Sequence, residues 1–234
     1  MEDAVDNAIE EEGTADVDVA ELHDRLPFRR MACMAHTLPL VVKKVFKSNY
    51  RKLLTKARSL VAHIRKSFVA VCNLNEKCGK SLVSNNQTRW NSTYYMIRWM
   101  LELRSSVNEI LADMKLDSMR VSEWEDLEGL CSILDPFAVE TEILHSDARS
   151  LSYIVPALLE LSCHLQISVN SPQLTAGMLN DSDERFSHVL QSTCANVNPL
   201  PAAACLLDPS VAIVLVTEDT KPLMEATRNL ICCR

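Results

Sequence analysis

The most regular feature of the chain is a helical repeat of apolar side chains. From Thr37 to residue 71 these side chains recur three, four and seven positions apart, which is the spacing of one face of an α-helix. Its members are Leu38, Val41, Val42, Val45, Phe46, Leu53, Leu54, Ala57, Leu60, Val61, Ile64, Phe68 and Val71. Thr37 is predicted to cap the first helix, with Pro39 in its first turn. A break at Ser48 and Asn49 would divide the stretch into two helices.

The rest of the chain is predicted to be helical in separate pieces. We expect helices over residues 91–114, 122–145, 151–168, 185–196, 201–207 and 222–232. Ser122 and Glu125 resemble a capping box at the start of the second, and Pro136 is expected to kink or break that helix. The polar segment 170–183 reads as a surface loop, and residues 29–36 as a short strand or an extended segment. The predicted fold class is therefore mainly α, a helical bundle.

Composition narrows the class of protein. The chain has 234 residues, of which 47% are hydrophobic, and this is enough for a core. Four glycines are too few to favour a Rossmann or P-loop nucleotide site. No run of apolar residues is long enough for a transmembrane helix, so no membrane association is expected. Nine irregularly spaced cysteines without a secretory signal predict reduced thiols of an intracellular protein.

The net charge of −7 conceals a strongly uneven distribution of charge. Residues 1–24 carry 10 acidic and no basic side chains, residues 25–104 carry 17 basic and 2 acidic, and residues 105–234 carry 7 basic and 19 acidic. The three segments therefore contribute −10, +15 and −12. The central block has the charge expected of a surface that meets a polyanion. The alternative is a solvated helix face whose charge the acidic flanks neutralise.

The stretch N-N-Q-T-R-W-N-S, residues 85–92, joins an arginine to a tryptophan inside the basic block. An indole can stack on an unpaired base, and a neighbouring guanidinium can hold a phosphate. On this interpretation Trp90 and Arg89 contact nucleic acid. The alternative is that Trp90 is a core residue at the start of a helix and Arg89 a surface charge.

Cys33 and His36 have the spacing of half a metal site. A structural zinc ion needs four ligands, usually from two such pairs, and the sequence offers no second matching pair. We therefore expect a buried cysteine and a capping or hydrogen-bonded histidine, with no metal and no cofactor. The sequence also lacks the G-x-S-x-G, P-loop and H-E-x-x-H motifs of common enzyme classes.

Taken together, these stretches resemble the hAT superfamily of transposases, and most closely the transposon-borne and domesticated BED-type zinc-finger proteins of animals. The stretches are R-R-M-A-C-M-A-H-T-L-P-L-V-V (residues 29–42), N-Q-T-R-W-N-S-T-Y-Y-M (86–96), E-L-R (102–104), L-D-P-F-A-V-E-T (134–141) and P-L-P-A-A-A-C-L-L-D-P (199–209). The resemblance implies an RNase H-fold enzyme of the DD-E type, in which two Asp and one Glu hold two metal ions. A large helical domain is inserted between the second Asp and the Glu.

The resemblance also implies a domain organisation. Residues 1–27 form an acidic, flexible lead-in, 28–217 the helical insertion domain, and 218–234 a truncated C-terminal helix. At most a remnant of the RNase H-like α/β core is expected, near residues 29–37. Asp6 is matched to the second catalytic acid, and the other two acids have no match. The BED finger and the dimerisation segment are also expected to be missing, as in a gene fragment.

The predicted function is that of a transposase-derived, catalytically incomplete nuclear protein, not an enzyme. By resemblance, Trp90 stacks on a flipped base, Arg89 contacts the DNA backbone, and Cys33 and His36 lie near the family's catalytic region. Phosphate contacts are assigned to Lys43, Lys44, Lys47, Arg51 and Lys52. One alternative is a protein–protein interaction module, or homo-oligomer, without a nucleic-acid role. Another is a fragment of an active DD-E transposase.

Overall fold

The computed structural model describes residues 33–47, 50–79, 90–145, 151–168, 171–194 and 197–232. All of them lie in the second of the two units into which the chain divides, Met31–Arg234. In these ranges the regular elements are ten α-helices and two short 3₁₀ helices, with no strand. The predicted mainly α fold is therefore confirmed. None of the helices in the described ranges has both the length and the apolar character needed to cross a membrane.

The α-helices are numbered here in chain order. They are α1 Met34–Lys47, α2 Arg51–Lys66, α3 Phe68–Cys78, α4 Trp90–Glu102, α5 Arg104–Asp113, α6 Val121–His145, α7 Ile154–Ile167, α8 Pro172–Leu190, α9 Leu200–Leu207 and α10 Lys221–Cys232. The 3₁₀ helices are Leu151–Tyr153 and Ala212–Val216.

Helix α6 is the longest of the described helices and contacts α1, α4 and α7. Its residues Trp124 and Phe137 are almost completely buried, and so are Tyr94 on α4 and Phe186 on α8. Burial of a side chain such as Phe137 stabilises the fold by about 1.5–3 kcal/mol. Because α8 also packs on α1 and α7, one apolar core runs through most of the described helices.

The start of α1 corrects two predictions. The helix begins at Met34, so residues 34–36 are helical and not extended; residues 29–32 lie outside the described ranges. The Cys33 carbonyl accepts the backbone N–H groups of His36 and Thr37, each at 3.0 Å. Thr37 is therefore inside the helix, where its hydroxyl donates to the Cys33 carbonyl at 3.1 Å. Burial of Met34 extends the apolar face beyond the predicted start.

Segment 170–183, expected to be a loop, instead forms most of α8, which begins at Pro172 and runs for 19 residues. The apolar residues of α8 are few and are separated by polar ones. They are Leu174, Met178, Phe186 and Val189, and all four are buried. Tertiary burial of these side chains outweighs the weak helix propensity of the Asn, Asp and Ser residues between them.

Two further predicted helices differ in detail from the structure. Residues 91–114 form two helices, α4 and α5, separated by a turn at the buried Leu103. The Glu123 carboxylate accepts the Arg120 backbone N–H at 2.7 Å, so the capping contact of α6 lies two residues before the predicted one. Pro136 does not end α6, whose 25 residues are continuous, because contacts with three other helices compensate for one missing backbone hydrogen bond.

Candidate nucleic-acid interface

Five basic side chains of α1 and α2 form what we call the basic surface. They are Lys43, Lys44, Lys47, Arg51 and Lys52, and all five are exposed. Their positions follow from the apolar repeat, because Val41, Val42 and Val45 point into the core and leave the intervening lysines outside. As predicted, the helical stretch is divided, with α1 ending at Lys47 and α2 beginning at Arg51.

Lys44 differs from its neighbours because its ammonium already forms an ion pair within the fold. Its Nζ donates to Asp181 Oδ1 at 2.6 Å, and Arg185 Nε donates to the other carboxylate oxygen at 2.8 Å. Only 4% of the Asp181 side chain is exposed, against 63% of Lys44. Burial alone would raise the pKa of this carboxyl, but the hydrogen bonds from Arg185 and Lys44 hold it below its usual value. The contact ties α1 to α8, so Lys44 has a structural partner that Lys43 and Lys47 do not share.

An open groove of about 780 Å³ runs along one face of α2. Arg51, Thr55, Ser59 and His63 line it at intervals of four residues, so they lie on one face of the helix, one turn apart. Lys52, Lys56 and Leu60 complete the α2 side, and Leu116 and Asp117 form the opposite wall.

Carboxylates reduce the positive charge of this groove. The Lys56 ammonium donates to Glu123 at 2.6 Å, and this contact, with the Arg120 backbone N–H, lowers the pKa of the glutamate. Asp117 is the acid that lines the groove directly. Of the cations lining it in the described ranges, Arg51 and Lys52 therefore carry most of the charge open to a ligand.

The wall of the groove opposite α2 depends on an unusual backbone conformation. Lys115 has a φ of 53°, in the left-handed region that usually takes glycine. The backbone N–H of Leu116 bonds to the Leu111 carbonyl at 2.9 Å, and that of Lys115 to Ala112 at 3.0 Å. These two bonds are those of a Schellman motif, which ends α5 and brings Leu116 and Asp117 beside α2.

Trp90 is the first residue of α4, and only 5% of it is exposed. Its ring lies 6.5 Å from that of Tyr94, and its indole Nε1 has no hydrogen-bond partner among the described residues. Stacking of a base on Trp90 would therefore require the ring to leave the core. Arg89, its expected companion, lies outside the described residues, and the proposed role of the pair in DNA contact stays a prediction.

Arg58 of α2 has a structural role that the sequence analysis did not identify. In the structure its guanidinium is half-buried and donates from Nη2 to the Thr93 hydroxyl at 3.2 Å. Burial lowers the pKa of this group. The contact holds the beginning of α4 against α2, so Arg58 serves the packing of the fold beside Trp90.

Cys33 and His36 are both exposed, so the expectation of a buried cysteine is wrong. The His36 ring packs edge-on against that of His145, with 6.2 Å between the ring centroids. In the part of the chain that the structure describes, no three His, Cys, Asp or Glu side chains gather into a group that could hold a metal ion. Asp6, matched to a catalytic acid, lies outside that part.

One exposed aromatic residue was missed by the sequence reasoning. Phe68 follows the apolar repeat, but 82% of it is exposed. The cause is Ser67, whose extended backbone ends α2 and begins α3, so that the repeat changes phase at this residue. A polar residue with capping chemistry inside an apolar repeat is the signal that could have shown the break.

Comparison with known proteins connects these features to a family. Residues 31–133 match the family described as the ZBED1 RNase-like helical domain. The chain is also 26% identical over 147 residues to zinc finger BED domain-containing protein 6 of Homo sapiens and, at the same identity and length, to that of Mus musculus. These matches cover 59% of this chain but only 15% of either relative. They confirm the predicted resemblance to BED-type proteins derived from hAT transposases.

Proposed function

We propose, on the premise that residues 31–133 are a BED-type, transposase-derived helical domain, that this chain binds DNA through its basic surface. Strand cleavage is not part of the proposal. A DNA-binding chain of this kind would act in the nucleus.

The observation that carries the proposal is the exposure of Lys43, Lys47, Arg51 and Lys52 on two consecutive helices. Residues 33–47 and 50–79 together contain ten Lys and Arg and a single acid, Glu76. Cations on one surface attract the phosphate backbone, and their counterions are released on binding. The groove along α2 gives that backbone a track beside Arg51 and Lys52.

The test is a titration of hairpin and duplex DNA at several salt concentrations. The double variant Arg51→Gln/Lys52→Gln removes two charges that make no contact essential to the core, so it should fold normally and bind more weakly. The double variant Lys221→Gln/Arg228→Gln on α10 removes the same charge from another exposed helix and should bind as the wild type does. Equal affinities of the two variants would contradict the proposal, and so would a wild type that does not bind at low salt.

A second candidate function is a protein–protein interaction module without a nucleic-acid role. Exposed apolar side chains near the 3₁₀ helix Ala212–Val216 favour it, since Leu207, Ile213 and Val216 are 71%, 72% and 64% exposed. Removal of residues 1–24 discriminates between the two. A chain that still fails to bind DNA without this acidic segment supports the interaction module.

A further inference from the structure

The most exposed aromatic residue in the described ranges lies at the corner between α2 and α3. Phe68 is 82% exposed and its neighbour Val69 is 66% exposed, whereas Ala70 and Leu74 of the same helix are buried. Phe68 is two positions from Ala70, and therefore about 200° around the helix from the buried face. Its ring thus points away from the core. A ring exposed to this extent contributes little to the packing of the fold.

Two basic residues precede this ring at the end of the neighbouring helix. Arg65 and Lys66, the last two residues of α2, are exposed and precede Phe68 by three and two positions. Their side chains belong to the same helix that carries Arg51 and Lys52. The α2 groove extends as far as His63, about one helical turn before Ser67. A ligand that follows the groove would therefore leave it near the corner between α2 and α3.

The α2–α3 corner also offers a backbone suited to anions. Ser67 caps α3, its Oγ accepting the Ala70 N–H at 3.3 Å, and its carbonyl accepts the Val71 N–H at 3.0 Å. The positive end of the α3 dipole lies near the N–H groups of Phe68 and Val69, and the basic residues Arg65 and Lys66 precede it in the chain. A negatively charged group beside the ring would be stabilised by both.

From this arrangement we propose that Phe68 is a stacking platform for an unpaired base of a nucleic-acid strand whose phosphates follow the cationic face of α2. Sequence-tolerant single-strand sites combine a cationic track with an aromatic ring on which a base stacks. The basic surface and Phe68 supply these two parts, whereas Trp90 is buried. The inference rests on the proposed DNA binding and names the form of nucleic acid, a strand with unpaired bases.

The test compares Phe68→Ala, Phe68→Trp and Ile213→Ala in the full chain. The probes are an oligothymidine of about 16 nucleotides and a duplex of the same length. Phe68→Ala should weaken single-strand binding about 5- to 150-fold, the loss expected for one stacked base, and change duplex binding less than about twofold. Phe68→Trp should retain the affinity, and the added indole fluorescence should be quenched on binding. Ile213→Ala, at an apolar position on another element that is also mostly exposed, is the control and should have no effect.

The outcomes separate this inference from the function it rests on. If Phe68→Ala binds the oligothymidine as the wild type does while Arg51→Gln/Lys52→Gln binds it weakly, DNA binding stands and the stacking role is refuted. If Phe68→Ala reduces binding to vesicles of anionic phospholipid but not to the oligothymidine, the ring meets a membrane surface and the inference is wrong. A wild type that binds neither nucleic acid overturns both proposals.

Discussion

The buried carboxylate of Asp181 offers the most quantitative test of the fold beneath the basic surface. Substitution Asp181→Asn keeps the volume and one acceptor but removes the charge that holds Lys44 and Arg185. The two cations differ in exposure, at 63% for Lys44 and 33% for Arg185. The exposed ammonium contributes at most about 1 kcal/mol to stability, because solvent screens it. A charge-assisted bond from the less exposed guanidinium is worth about 1.5–3 kcal/mol.

We therefore expect Asp181→Asn to lower the free energy of unfolding by about 2 kcal/mol at pH 7. Urea denaturation followed by circular dichroism measures this difference. Arg185→Ala should account for most of the loss, and Lys44→Ala for less than about 1 kcal/mol. A double-mutant cycle between Lys44 and Asp181 should give a correspondingly small coupling energy.

The pH dependence of this loss has a definite sign. The folded pKa of Asp181 is lowered, so its contribution is complete above the unfolded value of about 3.9 and is lost as the pH falls through the folded value. The stability difference between wild type and Asp181→Asn should therefore shrink in strong acid. A change of less than 0.5 kcal/mol at pH 7, or a difference that grows in acid, would refute the assigned contacts; 0.5 kcal/mol is about the usual range of a surface substitution.

Three further predictions concern α4, α6 and the thiols. Trp90→Ala should lower the free energy of unfolding by about 3–5 kcal/mol, because the ring is buried; a loss below about 1 kcal/mol in urea denaturation would indicate an exposed, ligand-facing ring. The Tyr94 hydroxyl donates to the Asp135 carboxylate, and burial, together with this hydrogen bond, raises the pKa of the tyrosine. Tyr94→Phe should therefore lower the free energy of unfolding by about 1.5–3 kcal/mol, and this loss should decline only as the pH rises above the pKa of an unfolded tyrosine, about 10. A loss that stays unchanged above that pH would disprove the bond. Burial raises the pKa of the Cys205 thiol to about 11, so maleimide labelling read by peptide mass spectrometry should modify the exposed Cys163 well before Cys205, and equal rates would contradict the assigned burial.

The helical fold could be predicted because the apolar repeat is dense where the core is large. The repeat beginning at Leu38 identified both faces of α1 and α2, and the break near Ser48 followed from local residue types. The helix in segment 170–183 was not predicted, for the opposite reason. Its apolar positions, such as Leu174 and Met178, are separated by turn-forming residues, and only packing against α1 and α7 reveals that they form one face.

The candidate interface could be predicted only in part. Charge along the sequence identified Lys43, Arg51 and their neighbours, because surface cations show directly in composition. Two properties depended on contacts that no local pattern encodes: the ion pair of Lys44 with Asp181, 137 positions away, and the burial of Trp90. Phe68 was assigned to the wrong environment because a single residue, Ser67, shifts the phase of the repeat.

The salt dependence of DNA binding shows whether the basic surface holds the phosphate backbone. If Lys43, Lys47, Arg51 and Lys52 each neutralise one phosphate of a duplex, log affinity should fall against log salt with a slope of about −3.6. Arg51→Gln/Lys52→Gln should reduce this slope to about −1.8, and Lys221→Gln/Arg228→Gln should leave it unchanged. A slope near zero in the wild type, or the same slope in both double variants, would show that the basic surface does not hold the DNA backbone.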